Sequence, residues 1–366
     1  MSSSEPIMAS SGQRSLRGPA VWSVVLILGL GGWIGALIVG DPHRAWRALL
    51  INFLYFTPLA SGMVTWSAVI MAARGAAMEP MKRSGLIGVA FAPVSLVMFI
   101  ALWFGRSYWA GWMHYEGLSQ GLWLDDTFVF ARDGIALVIL WALAAVFVLR
   151  LRRGRPKLVA GWLAFTYCAV FSLVAFDLVM ALDPLWFSTL FGGYFFISGM
   201  YIAISAWTIS AIVQRPPADE EHRRDFGKLI VAFSLLTTYM MFSQLIPIWY
   251  GNLPHEVRFV VPRLRLSPWR WFSLFLVLTV YLGPLVLLLG RRSKGSKPYL
   301  TAIAMLVLVG MWMERWWLVT PTLSDRVTLG LTELSITAAS LAALILCAGT
   351  FSRRMPPEFP EEGRGS

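Results

Sequence analysis

Ten apolar stretches, each near the ~20 residues a helix needs to cross a bilayer, constrain this chain more than any other feature. They fall at about 20–39, 49–73, 85–104, 127–149, 158–181, 188–213, 226–249, 269–290, 298–319 and 328–350. Backbone groups cannot stay unpaired in hydrocarbon, so runs of this length predict helices that satisfy their own backbone. The expected fold is an all-α polytopic membrane protein with ten transmembrane helices across residues 20–350. A disordered cytoplasmic tail, 1–19, is expected before it, and a cytoplasmic C-terminal tail, 351–366, after it. Composition agrees: 57% of the 366 residues are hydrophobic and 14% charged, which excludes an ordinary soluble domain.

The net charge of +11 raises nucleic acid as a partner, but the basic residues sit in short loops between spans, where topology explains them. About two thirds of the 31 Lys and Arg fall on the side of the two termini, which predicts that both termini are cytoplasmic. Arg258, Arg263, Arg265 and Arg270 go against that bias. They are expected to meet an anionic surface or partner subunits on the outer face.

The seventh span carries the least usual sequence, GKLIVAFSLLTTYMMFSQLIPIW followed by YGNLPHE. An unpaired amide in lipid costs several kcal/mol, so Gln244 is expected to face protein or a wet cavity. Pro247 frees a carbonyl one turn upstream, which predicts a bent or broken helix end. Two outer connections are rich in aromatics. Trp103 to Trp123 reads as interfacial anchoring. Asp183 to Phe196 reads as a tight hairpin, with Asp183 or Ser188 to cap the next helix and Gly193, Ser198 and Gly199 as a small-residue packing face.

Ionisable groups inside spans are costly enough to be functional candidates by default. Asp177, Gln244, Glu314, Arg315 and Glu333 all fall in outer halves of spans, with Arg132 and Asp133 a turn or two inside the fourth, so they could gather into one polar patch. Asp177 suits proton handling or a structural ion pair. Glu314 and Arg315 are neighbours in sequence and are expected to point apart, each finding a partner on another helix. His255 with Glu256 has the chemistry of an acid–base pair or of a solvated loop. Cys168 and Cys347 lie singly in apolar spans, and His43, His114, His222 and His255 are all expected in loops. No metal site, Walker motif or facing haem ligands are therefore expected, and no covalent or metal-held cofactor.

FSQLIPIWYGNLPHE at 242–256, ERWWLV at 314–319 and FDLVMALDPLWFSTLFGGYFF at 176–196 resemble the ActF subunits of alternative complex III, relatives of the NrfD and PsrC membrane proteins. The likeness extends more weakly to 52–66 and 123–132. Pro247 and His255 depart from that family's usual pattern. The resemblance implies an NrfD-like pair of four-helix bundles with flanking helices, in a respiratory quinol:electron-acceptor oxidoreductase of the bacterial inner membrane. It implies a homologous NrfD-like membrane partner, with iron-sulfur, multihaem and monohaem cytochrome c subunits docked on the periplasmic face. The subunit would hold no redox centre and would not act alone. It would offer a quinone-proximal surface, a proton path or a docking platform. Asp177, Glu256, Glu314 and Arg315 are then the catalytic candidates. Gln244, Trp249, Asn252 and His255 are candidates for contact with a quinone or quinol.

The rival expectation is a secondary transporter with a broken helix seven, which should show discontinuous helices at matching places in two halves.

Overall fold

The computed structural model describes residues 17–73, 82–115, 121–151, 157–214, 217–324 and 327–354. Among them there are helices and no strands. Ten helices are long and apolar enough to span a membrane: α1 (Gly18–Ile38), α2 (Pro42–Ala72), α3 (Ser84–Phe104), α4 (Asp126–Leu151), α5 (Lys157–Leu182), α6 (Phe191–Val213), α7 (Glu220–Gly251), α8 (Trp269–Leu287), α9 (Lys297–Leu323) and α10 (Leu331–Arg354). Most of the expected tail residues, 1–16 and 355–366, lie outside the described residues.

Two helices begin earlier than hydropathy suggests, because capping residues precede the apolar runs. Asp41 accepts from the Arg44 amide at 3.2 Å, with Pro42 in the first turn, so α2 takes in His43, Arg44 and Arg47. Asp219 caps α7 in the same way through the His222 amide at 2.9 Å. His43 and His222 therefore stand in helical first turns rather than in loops.

Helix α2 is the axis of the molecule, its whole membrane-length core covered by protein. It packs on α3, α5, α6, α9 and α10. Its polar side chains close locally: Ser61 and Thr65 donate to carbonyls one turn back, at 2.7 and 2.9 Å. Thr57 pairs with Ser95 of α3 at 3.0 Å. Helix α1 is almost uncovered except where it meets α10. There Gly29 lets the backbones approach, since a Cβ on it would lie 2.6 Å from the Ser335 carbonyl oxygen.

Helix α7 is not broken. It runs through Pro247 to Gly251 and stops at Asn252, whose left-handed backbone (φ 45°) supplies the C-cap. The irregularity lies in α8, where Val277–Leu282 is a π-helical turn just before Gly283 and Pro284. Pro284 has no N–H for the Val280 carbonyl, and the Tyr201 hydroxyl donates to it instead, at 3.1 Å. Ser234 of α7 donates to the neighbouring Tyr281 carbonyl at 2.8 Å. Borrowed donors thus hold the turn that aims the Tyr281 side chain inward.

Candidate functional site

The ends of the helices opposite the chain termini carry the buried charge. Among the described residues the buried acids form three separate groups rather than one patch, because each has an arginine close by, on its own helix for Asp133 and Glu314 and on another for Asp177 and Glu333, and is neutralised locally.

The first group joins α4 and α5. Asp177 is fully buried, its Oδ1 accepting from Trp123 Nε1 at 3.0 Å and its Oδ2 from Arg132 Nη2 at 2.6 Å. Arg132 Nε lies 3.5 Å from Oδ1 of the equally buried Asp133. The second oxygen of Asp133 and Nη1 of Arg132 are buried with no partner. The Trp123 ring covers the group and stacks on the Arg132 guanidinium at 3.9 Å. Asp177 stands in the wall of a recess of about 400 Å³, with Trp123, Trp186, Phe187, Ser188 and Thr189. Trp123 belongs to a stretch that reads as interfacial anchoring, yet Trp109 and Trp112 of that stretch are core residues and Trp123 is a hydrogen-bond donor to the site.

The second group lies between α6, α8 and α9. The Tyr194 hydroxyl donates to Glu314 Oε1, and the Tyr194 and Tyr281 hydroxyls are 2.7 Å apart. Contrary to the expectation from their adjacency, Glu314 and Arg315 pair directly, Nη1 to Oε2 at 2.7 Å. The arginine side chain is long enough to curl back around the helix. Arg315 also donates to Ser198 Oγ at 2.7 Å and lies over the Phe195 ring. Tyr194 and Tyr281 open onto a pocket of about 50 Å³, room for a few waters, also lined by Gln244, Phe259, Arg263, Ser273 and Trp317. Gln244 is 7% exposed, and its amide has no hydrogen-bond partner among the described residues.

The third group is Arg44 with Glu333, bonded twice, Nε to Oε1 at 2.7 Å and Nη2 to Oε2 at 2.6 Å. It clamps α10 to α2.

The segment after α7 closes the pocket from outside through Phe259, Val260, Arg263 and Leu264. Arg263 is not a docking residue. It is buried and donates to the carbonyls of Phe259 at 2.7 Å, Leu318 at 2.7 Å and Trp317 at 3.2 Å. Burial lowers its pKa to about 9, so it stays cationic at neutral pH. Arg258 pairs with Asp183 at 2.6 Å, while Arg265 and Arg270 are exposed. Glu256 is half buried outside both cavities, and its carbonyl accepts from Trp186 Nε1 at 3.0 Å. Trp249 is 78% exposed and Asn252 is the exposed cap of α7. The His255 side chain lies outside the described residues.

Ser188 and Asp183 do not cap α6. Its N-cap is Leu190 without a side-chain bond, and Asp183 instead holds its own turn through the Leu185 amide at 3.3 Å. The close-packing positions of α6 are Gly192, against Ser172 and Phe176, and Gly199, against Tyr167 and Pro58. Gly193 has only a distant neighbour.

Trp186 lines the recess and Phe259 the pocket, and their rings stack at 4.0 Å, so one aromatic layer separates the two cavities. Among the described residues no three of His, Cys, Asp and Glu gather as a metal site. No protein-family model matches the chain, and no curated protein matches it.

Proposed function

We propose that the chain is the membrane subunit of a respiratory quinol:acceptor oxidoreductase of the alternative complex III type, and that the recess beside Asp177 receives the quinol headgroup. The observation that carries this reading is a buried carboxylate in the wall of a 400 Å³ recess, with a second acid and one arginine behind it. Quinol oxidation must discharge protons, and a carboxylate at the headgroup with a further acceptor one step behind suits that discharge. The electrons pass to partner subunits: an NrfD-like membrane protein, an iron-sulfur subunit and cytochromes c. On this reading the charged helix ends are periplasmic and both termini cytoplasmic. Helices α2–α5 and α6–α9 form the two bundles of an NrfD-like fold, and α1 with α10 flanks them. The exposed Arg265 and Arg270 offer a docking edge to peripheral subunits.

The test is the Asp177→Asn chain in its native membranes. Quinol-dependent reduction of the acceptor should fall by at least about 100-fold, the usual contribution of a positioned proton acceptor, while haem-bearing partners still co-purify in mild detergent. Unchanged turnover would remove the recess from the reaction. A chain that purifies alone would remove the complex.

A further inference from the structure

The pocket between the ends of α6, α7, α8 and α9 is joined to Glu314 by hydroxyls alone. Tyr281 and Tyr194 stand at its wall, their oxygens 2.7 Å apart, and Tyr194 donates onward to Glu314. A buried water needs two to four polar partners. Gln244, Tyr281 and Ser273 line the space, and Gln244 brings an amide that is nine-tenths buried and otherwise unpartnered. Arg263 also stands in the wall, its donors committed to the carbonyls of Phe259, Trp317 and Leu318 and to Thr322 Oγ1, and most of the remaining lining is apolar. On the far side, Arg315 faces Glu314 from its own helix, and it is fixed by Ser198 and Phe195 of α6. The phenols of Tyr55 on α2 and Tyr167 on α5 lie in the field of Arg315, and Tyr201 of α6 lies near Tyr281.

We propose that Glu314 is a proton store that exchanges with water held at Gln244, through the hydroxyls of Tyr281 and Tyr194. In the loading direction an excess proton reaches the pocket as hydronium, which gives it to the Tyr281 oxygen and is left as neutral water; Tyr281 passes its own proton to Tyr194, and Tyr194 passes its own to Glu314 Oε1. Each phenol gains one O–H bond and loses one, so both end neutral and a single proton has moved. Arg315 stays charged throughout and stabilises the unloaded carboxylate. Unloading runs the same steps in reverse. This exchange is independent of the quinol reading, because it needs only water in the pocket.

The experiment is infrared difference spectroscopy of the full chain, with its partners, in quinone-free nanodiscs after transfer from H₂O to D₂O. A protonated-carboxyl band should exchange deuterium, disappear in Glu314→Gln and shift in Tyr194→Phe, which removes the donor to that carboxyl. In Tyr281→Phe, which keeps the ring and the Tyr194–Glu314 bond, exchange should slow at least about tenfold. Gln244→Leu should slow it similarly by drying the pocket. A structural ion pair alone would give no such band, and that result overturns the proposal. So does exchange at the wild-type rate in Tyr281→Phe, a variant that remains readable if Glu314→Gln fails to fold. Neither failure would touch the turnover expected to depend on Asp177.

Discussion

Arg132 of α4 donates to Asp177 of α5 at 2.6 Å while its Nε lies 3.5 Å from Asp133, so one cation serves two fully buried acids. Removing it leaves two carboxylates in a low-dielectric interior with Trp123 as the remaining donor to Asp177. Arg132→Gln should therefore cost about 3–5 kcal/mol of stability. Adding Asp133→Asn should restore part of that loss, because one buried charge is then gone. Thermal unfolding in detergent reads both, and an Arg132→Gln chain as stable as wild type would contradict the pairing.

Glu333 could have been a proton carrier, but both of its oxygens are taken by Arg44, and Oε2 also accepts from the Gly330 amide at 2.9 Å. Its work is to fasten α10, and with it α1, to α2. Glu333→Gln should lower stability by about 1–3 kcal/mol and leave quinol turnover at the wild-type level once the protein is assembled. A loss of turnover with unchanged melting would reverse that assignment.

Gly29 faces the α10 backbone so closely that a Cβ would sit 2.6 Å from the Ser335 carbonyl oxygen and 2.9 Å from the Ala339 Cβ. Gly29→Leu must push α1 off α10, at about 1–3 kcal/mol for overpacking. Engineered cysteines at Gly32 and Ser335, neighbours across this contact, should cross-link readily in the parent and poorly in the variant. Gly31→Leu, where nothing lies within 4 Å, is the control that should change neither measurement.

The ten spans were legible because hydropathy alone fixes them once a bilayer is the solvent. The sites were legible only in part. Asp177, Gln244, Glu314 and Arg315 announce themselves as polar groups in apolar runs, and each lies at a cavity or a buried cluster. Tyr194, Tyr281 and Trp123 do not, because an aromatic near a membrane surface reads as an anchor until its hydroxyl or N–H is seen to have a partner. Arg263 misleads in the opposite way. A loop arginine reads as exposed, and only the carbonyls gathered around it explain its burial. The pairing of Glu314 with Arg315 was hidden because helical neighbours diverge at Cβ, a rule that a long, flexible guanidinium stem can defeat. The π-helical turn of α8 has no pattern of its own in the sequence beyond Gly283 and Pro284, which follow it.

Asp219 caps α7 from the side of the chain termini, and bonds from the His222 amide and ring hold its carboxyl below the ordinary value of 3.8. A carboxyl whose folded pKa is depressed adds stability above its unfolded pKa and loses it as the pH falls through the folded value. Asp219→Ala should therefore melt earlier than wild type at pH 7, by roughly the 1 kcal/mol of a lost cap. The gap should close as the pH is lowered past 3.8. A gap that persists undiminished at lower pH would show that the ionised side chain is not the cap.

Pro321 and Arg263 answer each other across two elements. Proline at 321 offers no N–H to the Trp317 carbonyl one turn back in α9, and Arg263 Nε, reaching from the segment after α7, donates to it at 3.2 Å while Nη2 takes Leu318 at 2.7 Å. Arg263→Met should leave those buried carbonyls, and that of Phe259, without donors, at about 1–3 kcal/mol for each unsatisfied group. Pro321→Ala restores the helical N–H to Trp317 and so removes one of the needs that Arg263 meets. The double variant should then be more stable than the sum of the singles, with a coupling of about 0.5–3 kcal/mol read from melting in detergent. Strict additivity would mean that the freed carbonyl is not what draws the arginine inside. Loss of that anchor should also loosen the wall formed by Phe259 against Trp186, whose rings stack at 4.0 Å. Tryptophan fluorescence should therefore show Trp186 becoming accessible to quenchers in Arg263→Met and staying shielded in Arg265→Met, where the arginine is exposed.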